Sequence, residues 1–304
     1  MKISTFVLGL ALSANAFSNT LEQANALFSK RGEAAQFARQ AADAYKTLSG
    51  SATDSKTKAL RKVDQAKALY FFGGKVSAKQ QKLSVYKEAY TSAKEAISLL
   101  SSSKGVPASD VTPAELGFAH YQYAINLARW GKTNGITSSI SKLPELMRNL
   151  ETVIKLDETV ANYGAYRTIG KTKYAVPAAI ARLVGLGNFT TDDALDALFT
   201  AYDNTVMYVE ELGVETSKNS TTTLYILDVL AELEERGDFC DIFRSVKLIS
   251  EKGDAFIAKL FPTKTPEAKE DFKFIMDCAQ SKDKCDAGDI AAGKDFTELA
   301  QSCR

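Results

Sequence analysis

SKLPELMRNLETVIKLDE, residues 141–158, decides the fold. Leu143, Leu146, Met147, Leu150, Val153 and Ile154 recur at steps of three and four residues. At the pitch of an α-helix they form one apolar stripe and leave the remaining surface polar. The same spacing returns along the chain. RGEAAQFARQAADAY (31–45) carries Ala34, Phe37, Ala38, Ala41, Ala42 and Tyr45 on such a stripe, and SAKQQKLSVYKEAYTSAKEAISLL (77–100) carries Leu83, Tyr86, Tyr90, Ala93 and Ile97. Small polar or Gly-containing breakers separate these segments: SGSATDS (49–55), SSSKGVPASDVTP (101–113) and LVGLGNFT (183–190). No run of alternating apolar and polar residues marks a strand. The expected class is all-α, built of stacked antiparallel helical hairpins as in a cryptic tetratricopeptide-like solenoid. An irregular helical bundle is the alternative, because no clean repeat of about 34 residues runs throughout.

The ends set compartment and boundaries. MKISTFVLGLALSANA (1–16) has one Lys, a short apolar run and small residues before a cut after Ala16, the pattern of a secretory signal. A buried N-terminal helix is the other reading. The apolar run is too short to span a bilayer, and no Cys near the cut encodes a lipid anchor. The expected mature chain is periplasmic or secreted, with no membrane span. It comprises a helical-repeat domain over 17–262 and a Cys-containing extension over 263–304 packed on it. Cys240, Cys278, Cys285 and Cys303 all lie in the last quarter, and an even count in an exported chain indicates disulfides. Sequence alone does not choose among the three connectivities. Cys278 and Cys285 flank a polar loop that a short bridge can close, and Cys240 with Cys303 then pins the tail. A metal site is disfavoured, because there is no close C-x-x-C pair and the single His is remote.

Charge is unevenly distributed. The whole chain carries +1, yet residues 19–105 hold 15 Lys/Arg against 7 Asp/Glu, and residues 183–304 hold 13 against 24. This reads either as two solvated surfaces of opposite sign or as electrostatic docking, head to tail between copies or onto a charged partner. Nucleic acid is not expected, given near-neutral overall charge and no recognised motif.

No catalytic constellation emerges. There is no G-x-S-x-G elbow, and GLGNFT (185–190) lacks the Gly-Lys-Ser/Thr of a phosphate loop. The carboxylates of ELEERGD (232–238) read as a solvated helix face. No cofactor or catalytic residue is assigned. What remains is HYQYAINLARWGK (120–132), which holds the only His and the only Trp. On a helix, Ala119, Tyr123, Leu127 and Trp130 share one face, and Tyr121, Ala124, Ile125 and Ala128 the other, so the helix belongs inside the fold. Gln122, Asn126 and Arg129 form a narrow polar stripe that needs partners, from neighbouring helices, water or a ligand. Further on, Tyr163, Arg167 and Gly170 share a face. If the two helices border one hollow, Arg129 and Arg167 can both address an anion. The candidate ligand- or partner-binding residues are Tyr123, Asn126, Arg129, Trp130, Tyr163 and Arg167.

AHYQYAINLARWGK (119–132) followed by LPELMRNLETVIKLDETVANYGAYRTIGK (143–171) resembles the central pattern of the T-component of tripartite ATP-independent periplasmic (TRAP) transporters. Trp130, Leu156-Asp157-Glu158, Gly164, Tyr166 and Ile169-Gly170 stand at the matching places, and ADAYKTL (42–48) through YKEAYTSAKEAISLL (86–100) resembles the family's first hairpins. The resemblance spans residues 20–260. It implies a fold of cryptic tetratricopeptide-like repeats, self-association around a pore, docking to a periplasmic solute-binding protein, small organic cargo and no enzymatic activity. Two features depart from it: the missing lipidation Cys and the Cys-bearing tail.

Overall fold

The computed structural model describes residues 20–103, 105–263, 265–286 and 293–303. The expected signal segment, 1–16, lies outside the described residues. The structure is 77% helical and all-α in class. It starts with α1 (Leu21–Ser29), a short 3₁₀ turn (Lys30–Gly32), α2 (Ala35–Ser51), α3 (Ser55–Lys75) and α4 (Lys79–Leu100). There follow α5 (Pro113–Asn134), α6 (Ile136–Ser139), a second 3₁₀ turn (Ile140–Lys142), α7 (Leu143–Asp157), α8 (Gly164–Ala175) and α9 (Ala178–Leu183). The C-terminal half contains α10 (Thr191–Asp203), a hairpin of β1 (Val206–Val209) and β2 (Val214–Ser217), α11 (Ser220–Glu232), α12 (Arg236–Glu251) and α13 (Asp254–Leu260). The tail forms α14 (Thr265–Gln280), α15 (Lys282–Asp286) and α16 (Gly293–Ser302).

Local chemistry explains most helix starts. Thr20 with Gln23, Thr112 with Glu115, and Thr190 with Asp193 form reciprocal capping boxes, and Asp54 and Asn219 accept from the third residue of their helices. In the sequence, Thr191 followed by Asp192 and Asp193 reads as the start of a helix over 191–213; in the structure the α10 cap is Thr190, one residue earlier. Pro113 opens α5, where its missing N–H costs nothing.

One segment departs from the helical expectation. Residues 206–217, expected as the end of a helix and a loop, form an antiparallel hairpin pairing Val206 with Ser217 and Val209 with Val214. Val206, Tyr208, Val209, Val214 and Thr216 are β-branched or aromatic, and Gly213 turns the chain at φ +64°. The run is too short for its alternation to stand out from its surroundings.

Packing runs as a circuit. Alanines draw the first hairpins together: Ala41, Ala42, Ala66, Ala68, Ala89 and Ala93 are fully buried between α2, α3 and α4. From there each layer touches the next, α4 on α5, α5 on α7, α7 on α8, α8 on α10, α10 on α11 and α11 on α14. The circuit then closes, because α14 returns to the 30–32 turn. At that seam Arg31, 7% exposed, donates from Nε and Nη2 to both carboxylate oxygens of Glu267 at 3.0 and 2.9 Å. It also donates to the carbonyls of Thr263 and Phe28, and stacks over the Phe28 ring at 4.6 Å. Lys75 pairs with Glu270 alongside. Gly32 permits the approach, since a Cβ there would meet the Pro266 ring at 2.6 Å. The basic N-terminal quarter thus meets the acidic C-terminal half within the chain.

The tail is part of the second core. Phe272, Ile275, Cys278, Cys285 and Phe296 bury with Leu227, Leu230, Phe239 and Phe243 from the region before residue 262. The cysteines pair as Cys278–Cys285 and Cys240–Cys303. The latter spans 63 residues and ties α12 to the chain end. A loop of that length is stabilised by about 4 kcal/mol in the chain-entropy model. Among the described residues no helix is long and apolar enough to cross a membrane.

Cutting the seam tests its weight. Arg31→Ala should lower unfolding stability in urea by about 2–3 kcal/mol, below the usual cost of breaking a buried pair because Glu267 keeps a third of its exposure. A loss within about 0.5 kcal/mol, the range of ordinary surface changes, would show that the circuit closes without it.

Candidate functional site

The closed circuit surrounds a cavity of about 700 Å³, within the range of small-molecule sites. Helices from both halves line it. Phe28, Tyr70, Phe71, Phe118, Ile125, Leu143, Leu146 and Ile180 give an apolar wall, and Ser220 and Thr221 bring the start of α11 to its edge.

The α5 face that looks into the cavity carries Phe118, Tyr121, Gln122, Ile125, Ala128 and Arg129. Gln122 is 3% exposed, and its buried Oε1 receives no hydrogen bond from the protein. Arg129 donates from Nε to the Tyr70 hydroxyl at 3.3 Å and lies over that ring at 5.6 Å.

Arg167 enters from α8 and is 5% exposed. Its Nη1 donates to Asn162 O and Thr222 Oγ1, each at 3.2 Å, and its Nη2 to Tyr121 Oη at 3.2 Å and Ala161 O at 3.3 Å. Two of these acceptors belong to an unusual turn. Ala161, Asn162 and Tyr163 all take left-handed backbone near φ +55°, which costs side-chain-bearing residues of order 1 kcal/mol each. Arg167 clamps that turn. Gly164 completes the arrangement, because a Cβ there would meet the Tyr121 ring at 2.6 Å. Gly170 lets α8 settle on α10, where a Cβ would strike Leu198 at 2.6 Å.

One turn beyond Arg167, Lys171 Nζ meets Asp228 Oδ2 at 2.6 Å and lies about equally over the rings of Tyr225 and Tyr174. Asp228 is fully buried. On the opposite wall the Lys67 ammonium sits 5.0 Å over the Phe28 ring. Burial pushes its pKa down, with the Arg31 charge adding to this and Asp64 and Glu267 opposing it. Burial likewise pushes the Tyr174 hydroxyl up, helped by nearby Asp228 and Glu232.

The cavity takes two of the six residues singled out from sequence, Arg129 and Arg167, and brings them to one hollow. The other four lie elsewhere. Tyr123 is buried on the far face of α5, donating to Glu145 at 2.6 Å. Burial and that carboxylate raise its pKa. Trp130 and Tyr123 both pack edge-on against Tyr90, so the aromatic side of α5 is core rather than lining. Asn126 is fully buried and donates to the carbonyls of Gln122 and, across to α3, Ala66. Tyr163 lies beside Tyr166, their rings tilted by 32°, outside the cavity lining. His120 donates from Nδ1 to Asn149 Oδ1, 2.7 Å away, and burial lowers its pKa.

Sequence reading missed Lys67, Tyr70 and Phe71 of α3, and Lys171. The first three stand at steps of three and four, a face mixing a cation with aromatics that reads as an ordinary amphipathic stripe. Lys171 lies four residues past Arg167, one step along the face already identified. Among the described residues no three His, Cys, Asp or Glu side chains gather as metal ligands. No family model matches the chain, and no curated protein matches it.

Asp271 of α14 couples this edge to pH. It accepts from Ser220 Oγ at 2.6 Å and Thr221 Oγ1 at 2.8 Å. Burial, with Glu267 and Glu270 nearby, nonetheless lifts its pKa from 3.8 to about 6. A carboxyl raised on folding contributes stability below its unfolded pKa and loses it as pH rises through the folded value. In urea titrations, the Asp271-dependent stability should therefore fall between pH 4 and 6. Asp271→Asn should flatten that slope, and an unchanged slope would refute the assignment.

Proposed function

We propose that this chain is a non-enzymatic ligand-binding protein of the cell envelope, whose helical circuit holds a small organic molecule in its central cavity. The cavity itself carries the reading: about 700 Å³ of mainly apolar lining, with Gln122 and Arg129 on its α5 wall. A pocket of this size desolvates much of an apolar body, while a few polar groups fix its orientation. The resemblance of residues 20–260 to TRAP transporter T-components supports the same reading, with a periplasmic solute-binding protein as docking partner and self-association of copies as its assembly. The two disulfides fit an oxidising compartment such as the periplasm. The second reading is an envelope interaction scaffold with no small-molecule site. It is favoured by the apolar side chains left on the surface, Leu183 at 79% exposure and Tyr208 at 62%.

N-phenyl-1-naphthylamine, a neutral apolar fluorophore, separates the two. The chain should bind it with saturable fluorescence enhancement. Ala128→Trp, which projects bulk into the cavity, should weaken binding at least tenfold while far-ultraviolet circular dichroism stays unchanged. Absence of binding, or binding indifferent to the Trp, would favour the scaffold.

A further inference from the structure

Lys67 stands on the cavity-facing side of α3, beside Tyr70 and Phe71, and is reachable from the hollow. Its Nζ sits 5.0 Å over the Phe28 ring, and the Arg31 guanidinium lies 4.6 Å over the same ring. Two carboxylates act on it from nearby, Asp64 one turn earlier on α3 and Glu267 on α14. Each is engaged by an arginine instead: Asp64 pairs with Arg61 at 2.8 Å, and Arg31 grips both oxygens of Glu267. Among the described residues no carboxylate forms an ion pair with Lys67. A ring face holds an ammonium only weakly. Apolar neighbours and a second cation close by favour the neutral amine. The pKa of Lys67 accordingly lies below the ordinary lysine value. Burial is the main cause; Arg31 adds to it, and Asp64 and Glu267 oppose it. A lysine in an apolar pocket beside another cation is the arrangement that turns the side chain into a nucleophile towards carbonyl carbon.

We infer that Lys67 is a covalent anchor for a carbonyl compound, an aldehyde or unhindered ketone on an apolar body that enters the cavity. The lone pair of the neutral amine attacks the carbonyl carbon, and a C–N bond forms. The carbonyl oxygen collects both amine protons and leaves as water while the C=N bond of an imine forms. Neither oxidant nor reductant is consumed, and water reverses the step. The apolar body then has the rings of Phe28, Tyr70 and Phe71 beside it. The anchor rests on the proposed cavity function and adds a mode of capture to it.

2-Naphthaldehyde with sodium cyanoborohydride, which reduces the imine to a stable secondary amine, tests it on the intact chain. Peptide mapping by mass spectrometry should find Lys67 labelled at least about tenfold faster than any other lysine near neutral pH. Its labelling should also rise at lower pH than that of Nα-acetyl-lysine treated alike. In Lys67→Arg, which keeps the cation and removes the amine, the fast phase should vanish while N-phenyl-1-naphthylamine binds as before. The parent's labelling map reads the anchor even if that variant fails to fold. Even labelling across the lysines, or a fast phase that survives in Lys67→Arg, would overturn the anchor; N-phenyl-1-naphthylamine binding in the same preparation would leave the cavity function standing. Selective labelling of Lys67 in a chain that binds no N-phenyl-1-naphthylamine would support the nucleophile and remove the cavity function. If Lys67 is not labelled and the fluorophore does not bind, both fall.

Discussion

The buried Arg31 guanidinium is the constraint on which the rest depends. A row of helical hairpins has two free ends and an open concave face, and nothing in hairpin stacking alone makes those ends meet. Here they meet because a bidentate Arg31–Glu267 pair, two backbone carbonyls and two aromatic faces all converge on one side chain. The arrangement favours Arg over Lys, since only a planar fork serves both carboxylate oxygens while lying on a ring. Charge partition along the sequence has its structural outlet at this seam. The surplus of cations near the start and of anions near the end brings together segments more than 230 residues apart.

Closure creates the hollow, and the cations keep it hydrated or ligand-filled rather than collapsed. A purely apolar concavity of this size would gain by closing on itself, at about 25 cal/mol for each Å² removed from water. Burying the charged side chains that line it, Lys67, Arg167 and the Lys171–Asp228 pair among them, would oppose that collapse. Lys171 shows the local compromise. It is neutralised by Asp228 beneath it, yet its flanks are the rings of Tyr174 and Tyr225, so it turns an aromatic as well as a charged surface inward. Arg167 shows another. Its hydrogen bonds hold three left-handed residues in place, so backbone strain at 161–163 is stabilised by the same side chain that lends the cavity its charge.

Much of this was legible in the sequence, for physical reasons that differ by level. Helices announce themselves locally. The stripe of Leu143 to Ile154, the capping residues and Pro113 all act within a few residues of their cause, and the reading of α7 and α5 follows. The hairpin at 206–217 did not, because four-residue strands offer too little alternation, and the preceding helix ends without Gly or Pro. For the site, the helix faces could be computed but not which face looks inward. Both faces of α5 are apolar, so Tyr123 and Trp130 looked as apt as Tyr121 and Ile125. Only the neighbouring helices decide between them. Arg31 was illegible for a related reason: it sits in an ordinary-looking KRGE, and its partner lies in the tail.

Seam and cavity are not independent parts. Phe28, Lys67, Phe71 and Glu267 line the hollow, and the same residues flank or make the closing contact. Any occupant that touches this wall and the opposite one, at Arg167 or Tyr225, holds the two halves together. By linkage it stabilises the closed circuit over any opened form, by an amount set by its affinity and concentration. The reverse holds equally: whatever loosens Arg31 from Glu267 weakens the occupant's hold.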